Sequence, residues 1–246
     1  MKNASFVRVE SGKFKGKRLF LPNFATTRST KSRVKACVFN TLRAELADKV
    51  FVEVFGGSGA MAFEALSNYA LGVVIVEKDK NAYKIACQNA TLLLKSANPL
   101  NSSENSLLKD ENSANSNANS PLKDENSATL QKNALNSSPN YKFTSFAAQK
   151  VHLYQGDSFE LLPSILEQMP RQTPIIAYFD PPFHHRKGFL DIYERVFGLI
   201  NSLKGLNLWL FIIEHSSQIP MPQAISLFKL YKEKKFGNTA LSFYRL

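Results

Sequence analysis

Along most of this chain, short apolar runs alternate with longer stretches in which apolar residues recur every three or four positions. Short apolar runs are typical of buried strands, and the longer recurrence is typical of helices. The predicted elements are strands over 49–54, 72–77, 150–154, 174–179 and 206–213, and helices over 58–68, 80–94, 158–169 and 189–202. This alternation predicts a doubly wound α/β fold, which binds ligands at the carboxyl ends of its strands.

Both ends of the chain depart from the alternation. Residues 224–236 and 239–246 flank a Gly-Asn pair at 237–238, which predicts an antiparallel hairpin. Near the other end, residues 26–42 have helical spacing, and residues 6–21 alternate in polarity and predict a small β element.

The positive charge of the chain is concentrated near its N-terminus. The whole chain has a net charge of +11, and residues 1–43 contain eleven Lys or Arg against a single acid, Glu10. A concentrated positive charge favours a polyanionic partner such as nucleic acid or a membrane surface. We therefore predict two parts: a basic N-terminal extension over 1–43, and an α/β domain over 44–246.

One segment of the domain has too few apolar residues to form a core. Residues 96–140 are dominated by Asn and Ser, and they contain a repeat, NSLLKDENSA at 105–114 and NSPLKDENSA at 119–128. Burial of so little apolar surface does not offset the entropy lost on ordering a chain. We interpret this segment as a disordered loop that interrupts the domain and grew by duplication.

Several classes of protein are disfavoured by the remaining composition. Cys37 and Cys87 have neither metal-ligand spacing nor a disulfide framework, so we expect reduced thiols and no metal. The N-terminal MKNASFVRVE lacks the apolar region of a signal peptide, and Leu208–Ile213 is too short to cross a bilayer. These features predict a cytoplasmic protein without a membrane partner.

A glycine-rich turn, VEVFGGSG, follows the first predicted strand of the domain. Glycines there allow a ligand to approach the backbone closely, and a carboxylate at the end of the next strand can accept hydrogen bonds from ribose hydroxyls. Gly57, Gly59 and Ala62 also satisfy the G-x-G-x-x-A dinucleotide pattern. The candidate cofactor-binding residues are Glu53, Phe55, Gly56, Gly57, Ser58, Gly59, Glu77, Asp157 and Ser158.

Two carboxylates favour S-adenosyl-L-methionine over a dinucleotide as the ligand of this turn. Glu53 lies inside the first strand, where it can hold the charged amino-acid end of that cofactor. Asp157 ends the third strand, where it can accept a hydrogen bond from an adenine amine.

The fourth strand ends in an Asp-Pro-Pro-Phe sequence that suits methylation of a base amine. Asp180 and the backbone carbonyl of Pro181 can accept the amine hydrogens and free the nitrogen lone pair, while the prolines stiffen the loop. Phe183 can stack on a flipped base. The candidate catalytic residues are Asp180, Pro181, Pro182 and Phe183.

Outside residues 96–140, the chain resembles the RsmD family of class I methyltransferases. The shared motifs, in the order of that family, are RVESGKFKGKRLFLP, RSTKSRVKACVFN, EVFGGSGAMAFEALS, VEKD, GD, DPPF and FGNTALSFYR. DPPF alone is shared with many amine methyltransferases, so the ordered set carries the resemblance. Among the departures, Glu53 occupies a position where the family usually has Asp, and Gly57 one where it has Ala.

The resemblance implies a Rossmann-like class I methyltransferase fold, with a mostly parallel seven-stranded sheet that ends in the antiparallel hairpin. It implies transfer of a methyl group from S-adenosyl-L-methionine to the exocyclic N2 amine of guanine-966 in 16S ribosomal RNA. The substrate would be the 30S subunit or its assembly intermediate. The candidate nucleic-acid-binding residues are Lys13, Lys15, Lys17, Arg18, Arg28, Arg33, His185 and Arg186.

Three other functions stay open on the residues alone. An adenine-N6 methyltransferase acting on DNA or RNA would use Asp180 and Phe183 equally well. A nicotinamide-dependent oxidoreductase could be built on the glycine turn, although the DPPF sequence would then have no role. A non-catalytic RNA-binding or ribosome-assembly protein would need only the basic residues.

Overall fold

The computed structural model describes residues 5–22, 28–97, 150–182 and 190–246. Side chains are described for these ranges except 28–31, 96–97 and 190–191. Most of the segment predicted to be a disordered loop, residues 98–140, lies outside the described residues. Within the described ranges, no helix is both long enough and apolar enough to cross a membrane.

Ten strands and five helices are present in these ranges, and the main elements follow the predicted order. In chain order they are β1 Phe6–Arg8, β2 Arg18–Phe20, α1 Arg28–Leu42, β3 Val50–Glu53, α2 Ala60–Ser67, β4 Gly72–Glu77, α3 Lys80–Ala97, β5 Val151–Gln155, α4 Ser158–Glu167, β6 Ile175–Phe179, α5 Leu190–Ser202, β7 Leu208–Ser216, β8 Ala224–Ile225, β9 Phe228–Phe236 and β10 Thr239–Arg245.

The main sheet has the order β5-β4-β3-β6-β7-β10-β9-β8, in which the first five strands are parallel and the last three antiparallel. The predicted α/β class with a C-terminal antiparallel hairpin is confirmed. The predicted count of seven strands is wrong by one. Ser226 adopts a φ of 55° and turns the chain, so Ala224–Ile225 forms a short edge strand instead of extending β9.

Helices cover both faces of the parallel strands. On one face Phe51 of β3 packs in a core with residues of α1, α2 and α3. On the other face the adjacent Val52 packs in a second core with residues of α4 and α5. Because successive strand residues point to opposite faces, β3 and β6 are apolar almost throughout and buried on both sides.

Residues 10–14 of the N-terminal extension are hydrogen-bonded to the end of α2. The backbone amides of Glu10 and Ser11 donate to the carboxylate of Glu64, which is 1% exposed. The Phe14 amide donates to Ser67 Oγ, and Leu19 joins the core that also contains Phe51. The division at residue 43 stays a prediction, although both predicted parts contribute to this core.

Helix α1 buries one cation together with its apolar residues. Val34, Val38 and Leu42 are buried, and so is Lys35, at 3% exposure. Its ammonium group is satisfied by the Arg8 carbonyl at 2.7 Å and the Glu64 carboxylate at 3.0 Å. A buried cation needs partners of this kind, and here they come from two other parts of the chain.

Candidate active site

The carboxyl ends of the parallel strands meet at one edge of the sheet and form an open cleft. Two adjoining cavities make up this cleft, and Phe55, Gly57 and Asp180 line both of them. Glu53 and Glu214 line the first cavity, and the second contains the remaining predicted cofactor carboxylates, Glu77 and Asp157. Residues from β3, β4, β6 and the loop after β5 are therefore brought together as predicted.

The glycine turn connects β3 to α2 with a tightly bent backbone. Gly57 has a φ of 51° and Gly59 a φ of 76°, which side chains rarely allow. A Cβ on Gly59 would also lie 2.5 Å from a ring carbon of Phe63, and one on Gly56 would lie 2.4 Å from Ile75 Cγ2. Gly56 and Gly59 are therefore needed for packing. A Cβ on Gly57, by contrast, would have no atom within 4 Å outside its neighbouring residues.

Glu77 joins the end of β4 to this turn. Its Oε2 accepts a hydrogen bond of 2.6 Å from the Gly57 amide, and its Oε1 accepts one of 2.6 Å from the Asp79 amide. Each carboxylate oxygen has two acceptor positions, so these bonds leave capacity for ribose hydroxyls. The predicted role of Glu77 is compatible with its placement, and the residue also holds the turn in shape.

Asp157 caps helix α4 and pairs with a lysine that the sequence did not indicate. Its Oδ1 accepts from the Phe159 amide at 3.0 Å, and Lys78 Nζ lies 2.9 Å from its Oδ2. Partial burial alone would raise the pKa of Asp157, but the hydrogen bonds from Lys78 and Phe159 outweigh it and lower that pKa. The carboxylate therefore stays ionised as an acceptor. The neighbouring Ser158 donates from Oγ to the Val54 carbonyl.

Glu53 is a carboxylate buried at the head of the cleft. It is 5% exposed, and its Oε2 accepts a hydrogen bond of 2.8 Å from the Ala62 amide. Burial raises the pKa of Glu53 to about 8; the Ala62 and Met61 amides oppose the shift, and the charges of Asp180 and Glu77 add to it. A cationic ligand beside Glu53 would stabilise its ionised form.

Asp180, Pro181 and Pro182 directly follow β6; Asp180 lines both cavities of the cleft and Pro182 lines the second. Asp180 is half-buried, Pro181 is buried and Pro182 is exposed. The fourth predicted catalytic residue, Phe183, lies outside the described residues.

A buried tyrosine–carboxylate pair lies on the floor of the same cavity as Asp180. Tyr178 donates its hydroxyl hydrogen to Glu214 Oε2, and both residues line the cavity with Glu53 and Asp180. Burial and the nearby Glu214 raise the pKa of Tyr178 well above its usual value, so the hydroxyl remains a donor. The sequence interpretation missed Glu214 because it ended that strand at residue 213. An acid at the end of a fifth parallel strand was the available signal.

Aromatic rings line the second cavity. The rings of Phe55 and Phe159 are tilted, with their centroids 5.7 Å apart, and the Arg195 guanidinium lies 4.0 Å from the Phe159 centroid. Phe55 was predicted as a cofactor residue, whereas Phe159, which directly follows the predicted Ser158, and Arg195 were not. Arg195 belongs to α5, and only the fold brings it to this cavity. An aromatic wall of this kind suits the flat face of a base.

Part of the predicted nucleic-acid-binding set lies far from this cleft. The Lys13 amide donates to the Ser67 carbonyl at the end of α2, and the nearby Lys150 precedes β5, so Lys13 lies at the opposite edge of the sheet. Lys15 and Lys17 belong to the same turn. Of residues 1–43, Val7, Leu21, Val34 and Lys35 reach the cleft, where they line its first cavity.

The arginines of the predicted set have different positions. The Arg18 guanidinium lies over the Phe6 ring of the small β element, and the exposed Arg33 lies 5.9 Å from the Phe236 ring centroid. The backbone of Arg28 begins α1, but its side chain lies outside the description. His185 and Arg186 lie outside the described residues altogether.

The residues of the cleft fit a nucleoside that bears a positively charged sulfur. Glu77 and Asp157 provide acceptors and Phe55 and Phe159 provide apolar rings on one side, while Glu53 provides a buried carboxylate on the other. No group of three or more His, Cys, Asp or Glu side chains suited to a metal ion occurs in the described ranges.

Comparison with known proteins agrees with this arrangement. A family model described as conserved hypothetical protein 95 matches residues 7–120 and 122–245. The chain belongs to this family. The RsmD-family assignment made from the motifs is thereby confirmed.

The name of a curated relative states an activity. The chain is 35% identical over 101 residues to ribosomal RNA small subunit methyltransferase D of Escherichia coli strain K12. The match covers 41% of this chain and 51% of that protein, so it spans about half the length of the relative.

Solved structures show the same fold across a larger share of the chain. The yhhF protein of Escherichia coli gives a TM-score of 0.59 at 21% identity and covers 98% of each chain. An S-adenosylmethionine-dependent methyltransferase of Agrobacterium tumefaciens gives 0.53 at 10% identity and covers 100% of this chain and 71% of its own. At these identities the likeness concerns the fold, and the predicted class I methyltransferase fold is confirmed.

Proposed function

We propose that this protein transfers a methyl group from S-adenosyl-L-methionine to the exocyclic N2 amine of guanine-966 in 16S ribosomal RNA, in the 30S subunit or an assembly intermediate. The observation that carries the proposal is the placement of Asp180. It begins the loop after β6, in the cleft that also contains the glycine turn. The name of the Escherichia coli relative supports a ribosomal RNA substrate.

The cofactor would occupy both cavities of the cleft. Glu77 and Asp157 would accept hydrogen bonds from its nucleoside, and Glu53 would face its amino-acid end. When bound, this cofactor supplies a methyl group on a positively charged sulfur. Its presence beside Glu53 would lower the raised pKa of that carboxyl and keep it ionised.

Asp180 would act on the amine that receives the methyl group. Its carboxylate would accept one amine hydrogen and the Pro181 carbonyl another, which localises the lone pair on the nitrogen. The nitrogen would gain the methyl group and lose one proton, and the Asp180 carboxylate would take that proton. The remaining contribution is alignment of the reacting atoms, which proximity in the cleft provides.

The test is a tritium-transfer assay with small subunits from a strain that lacks this gene, naked 16S RNA and duplex DNA. We expect N2-methylguanosine in subunit RNA and a loss of about 10²- to 10³-fold in rate for Asp180→Ala, the size typical of losing one polar contact to the reacting group. Cofactor binding by calorimetry should be retained. Glu167→Ala, an exposed carboxylate on α4, is the matched control and should keep the full rate.

Other products would overturn parts of the proposal. N6-methyladenine in DNA or RNA would keep the fold and cofactor assignments but replace the substrate. No transfer together with no cofactor binding would favour a non-catalytic RNA-binding or assembly protein.

A further inference from the structure

A second basic surface lies outside the N-terminal residues. Strand β9, FKLYKEKKF, contains four lysines and one acid in nine residues. Lys229, Lys234 and Lys235 are exposed, and Lys232 is half-buried. We call these four lysines the β9 lysine surface.

Strand β9 runs toward the edge of the sheet at which the parallel strands end and the cleft lies. We call this the catalytic edge. Strand β7 is parallel to β6, β10 is antiparallel to β7, and β9 is antiparallel to β10, so β9 has the same direction as β6. The C-terminal end of β9 and the start of the Asp180 loop therefore lie at the same edge. Lys234 and Lys235 immediately precede Phe236 at that end.

Helix α1 connects this surface to the cleft. Lys232 Nζ donates to Thr41 Oγ1 at 2.9 Å, and Arg33, from the same helix, lies over the Phe236 ring. Val34, the residue after Arg33, lines the first cavity of the cleft. The positive charge at the C-terminal end of β9 is therefore continuous with Arg33, which lies near the cleft. Lys229 begins the strand and lies, like Lys13, toward the opposite edge of the sheet.

Three lysines of this surface, Lys229, Lys234 and Lys235, are available to an external anion. Lys235 is 3.4 Å from Glu233, a pair between two side chains in which the lysine is 62% exposed. Among the described residues, no carboxylate lies within salt-bridge distance of Lys229 or Lys234. Exposed pairs of this kind contribute little to folding, so folding alone does not account for the charge.

We propose that the β9 lysine surface binds phosphate groups of the RNA that flanks the modified nucleotide. This inference rests on the proposed RNA substrate and adds a docking surface to it. The chemistry is charge complementarity: lysines contact phosphates without reading sequence, and they position the RNA so that one base reaches Asp180.

A competing explanation is that the lysines protect the outermost strands of the sheet from pairing with other molecules. Among the described residues, the outer side of β9 pairs only with Ala224–Ile225. Lysines on an exposed outer strand prevent strands of other molecules from pairing there. Edge protection predicts a loss of solubility when the lysines are removed, with no change in RNA binding by the soluble protein.

The test compares two triple variants with the same loss of charge. One is Lys229→Ala/Lys234→Ala/Lys235→Ala, and its control is Lys84→Ala/Lys95→Ala/Lys204→Ala, which removes three lysines that are exposed elsewhere. Binding to small subunits and to 16S RNA would be measured over a range of salt concentrations, together with kcat, KM and cofactor affinity.

We expect the β9 variant to reduce the slope of log affinity against log salt by about 2 to 3, since each lost phosphate contact removes about 0.7 to 0.9. Its affinity at low salt should fall by about 10- to 100-fold and its KM should rise accordingly, with kcat and cofactor affinity unchanged. The control should change affinity by less than about 3-fold. Replacement of the same three lysines by arginine should retain binding, because the charge is kept.

Equal losses in both triple variants would overturn the inference in favour of net charge alone. Aggregation of the β9 variant with normal binding by its soluble fraction would overturn it in favour of edge protection. If the wild-type protein binds subunits in a β9-dependent way but transfers no methyl group, the proposed function fails and the docking surface remains. If it methylates and the β9 variant has an unchanged KM, only the docking surface fails.

Discussion

Glu53 and Glu64 are both buried carboxylates, one hydrogen-bonded to helix α2 and the other part of it, yet their surroundings differ. Glu64 accepts hydrogen bonds from the amides of Glu10 and Ser11 and from Ser11 Oγ, and it pairs with Lys35. Glu53 accepts from the Ala62 amide and faces an open cavity near other acids. The difference teaches that a carboxylate surrounded by donors fastens parts of the chain together, whereas one with few donors beside a cavity suits a ligand.

The largest loss of stability should follow removal of the cation beside Glu64. Lys35→Met keeps the volume but leaves the Glu64 charge without its ammonium partner. Breaking a buried pair from one side costs about 3–5 kcal/mol, so the free energy of unfolding should fall by that amount. Guanidinium unfolding followed by circular dichroism would measure it.

A double variant serves as the control for that loss of stability. Lys35→Met combined with Glu64→Gln removes the charge as well, so it should be more stable than Lys35→Met alone. A loss below about 1 kcal/mol for Lys35→Met would show that the backbone donors suffice for Glu64.

The next effect concerns Glu53 and depends on pH. Its folded pKa of about 8 exceeds the ordinary 4.5, so between these values the folded protein binds more protons than the unfolded chain. The contribution of Glu53 to stability is therefore fully present below pH 4.5 and is lost as pH rises toward 8, by at most about 1.4 kcal/mol per pH unit. Glu53→Gln should remove this dependence.

Urea unfolding of cofactor-free protein at pH 5, 6, 7 and 8 would measure the difference between wild type and Glu53→Gln. The exposed Glu167→Gln should keep the pH profile of the wild type. Parallel profiles for wild type and Glu53→Gln would show that the Glu53 carboxyl is not perturbed in the folded protein.

The smallest effect should follow removal of one donor from Glu64. Ser11→Ala deletes the hydroxyl that donates to Glu64 Oε1 at 2.9 Å but keeps the Ser11 amide. Several donors remain, so the loss should be about 1 kcal/mol, typical of one hydrogen bond. A loss as large as that of Lys35→Met, measured by the same guanidinium unfolding, would mean that the hydroxyl is essential to the arrangement.

Much of the cleft could be predicted from the chain because its residues follow strands directly. Glu53, Glu77, Asp157 and Asp180 come at or just after strand ends, and parallel strands present their carboxyl ends at one edge. The glycine turn was visible for a similar local reason, since residues 54–59 join β3 directly to α2.

Other parts of the molecule could not be predicted because they depend on distant pairs. Lys35 and Glu64 lie on different helices, and a lysine in a helical sequence is ordinarily exposed. Arg195 and Phe159 belong to different helices, and the sequence contains no sign that they stack. Lys234 of β9 reaches the catalytic edge only because two antiparallel pairings set the direction of that strand.

By itself, the sequence determined the order of strands and helices, the glycine turn and the acids at strand ends, because these follow from local periodicity and from residues adjacent along the chain. Only the tertiary structure decided which carboxylates are surrounded by donors and which face the cleft, and which basic residues lie at the catalytic edge. Burial and charge at a side chain depend on segments far away in sequence, and packing alone brings those segments together.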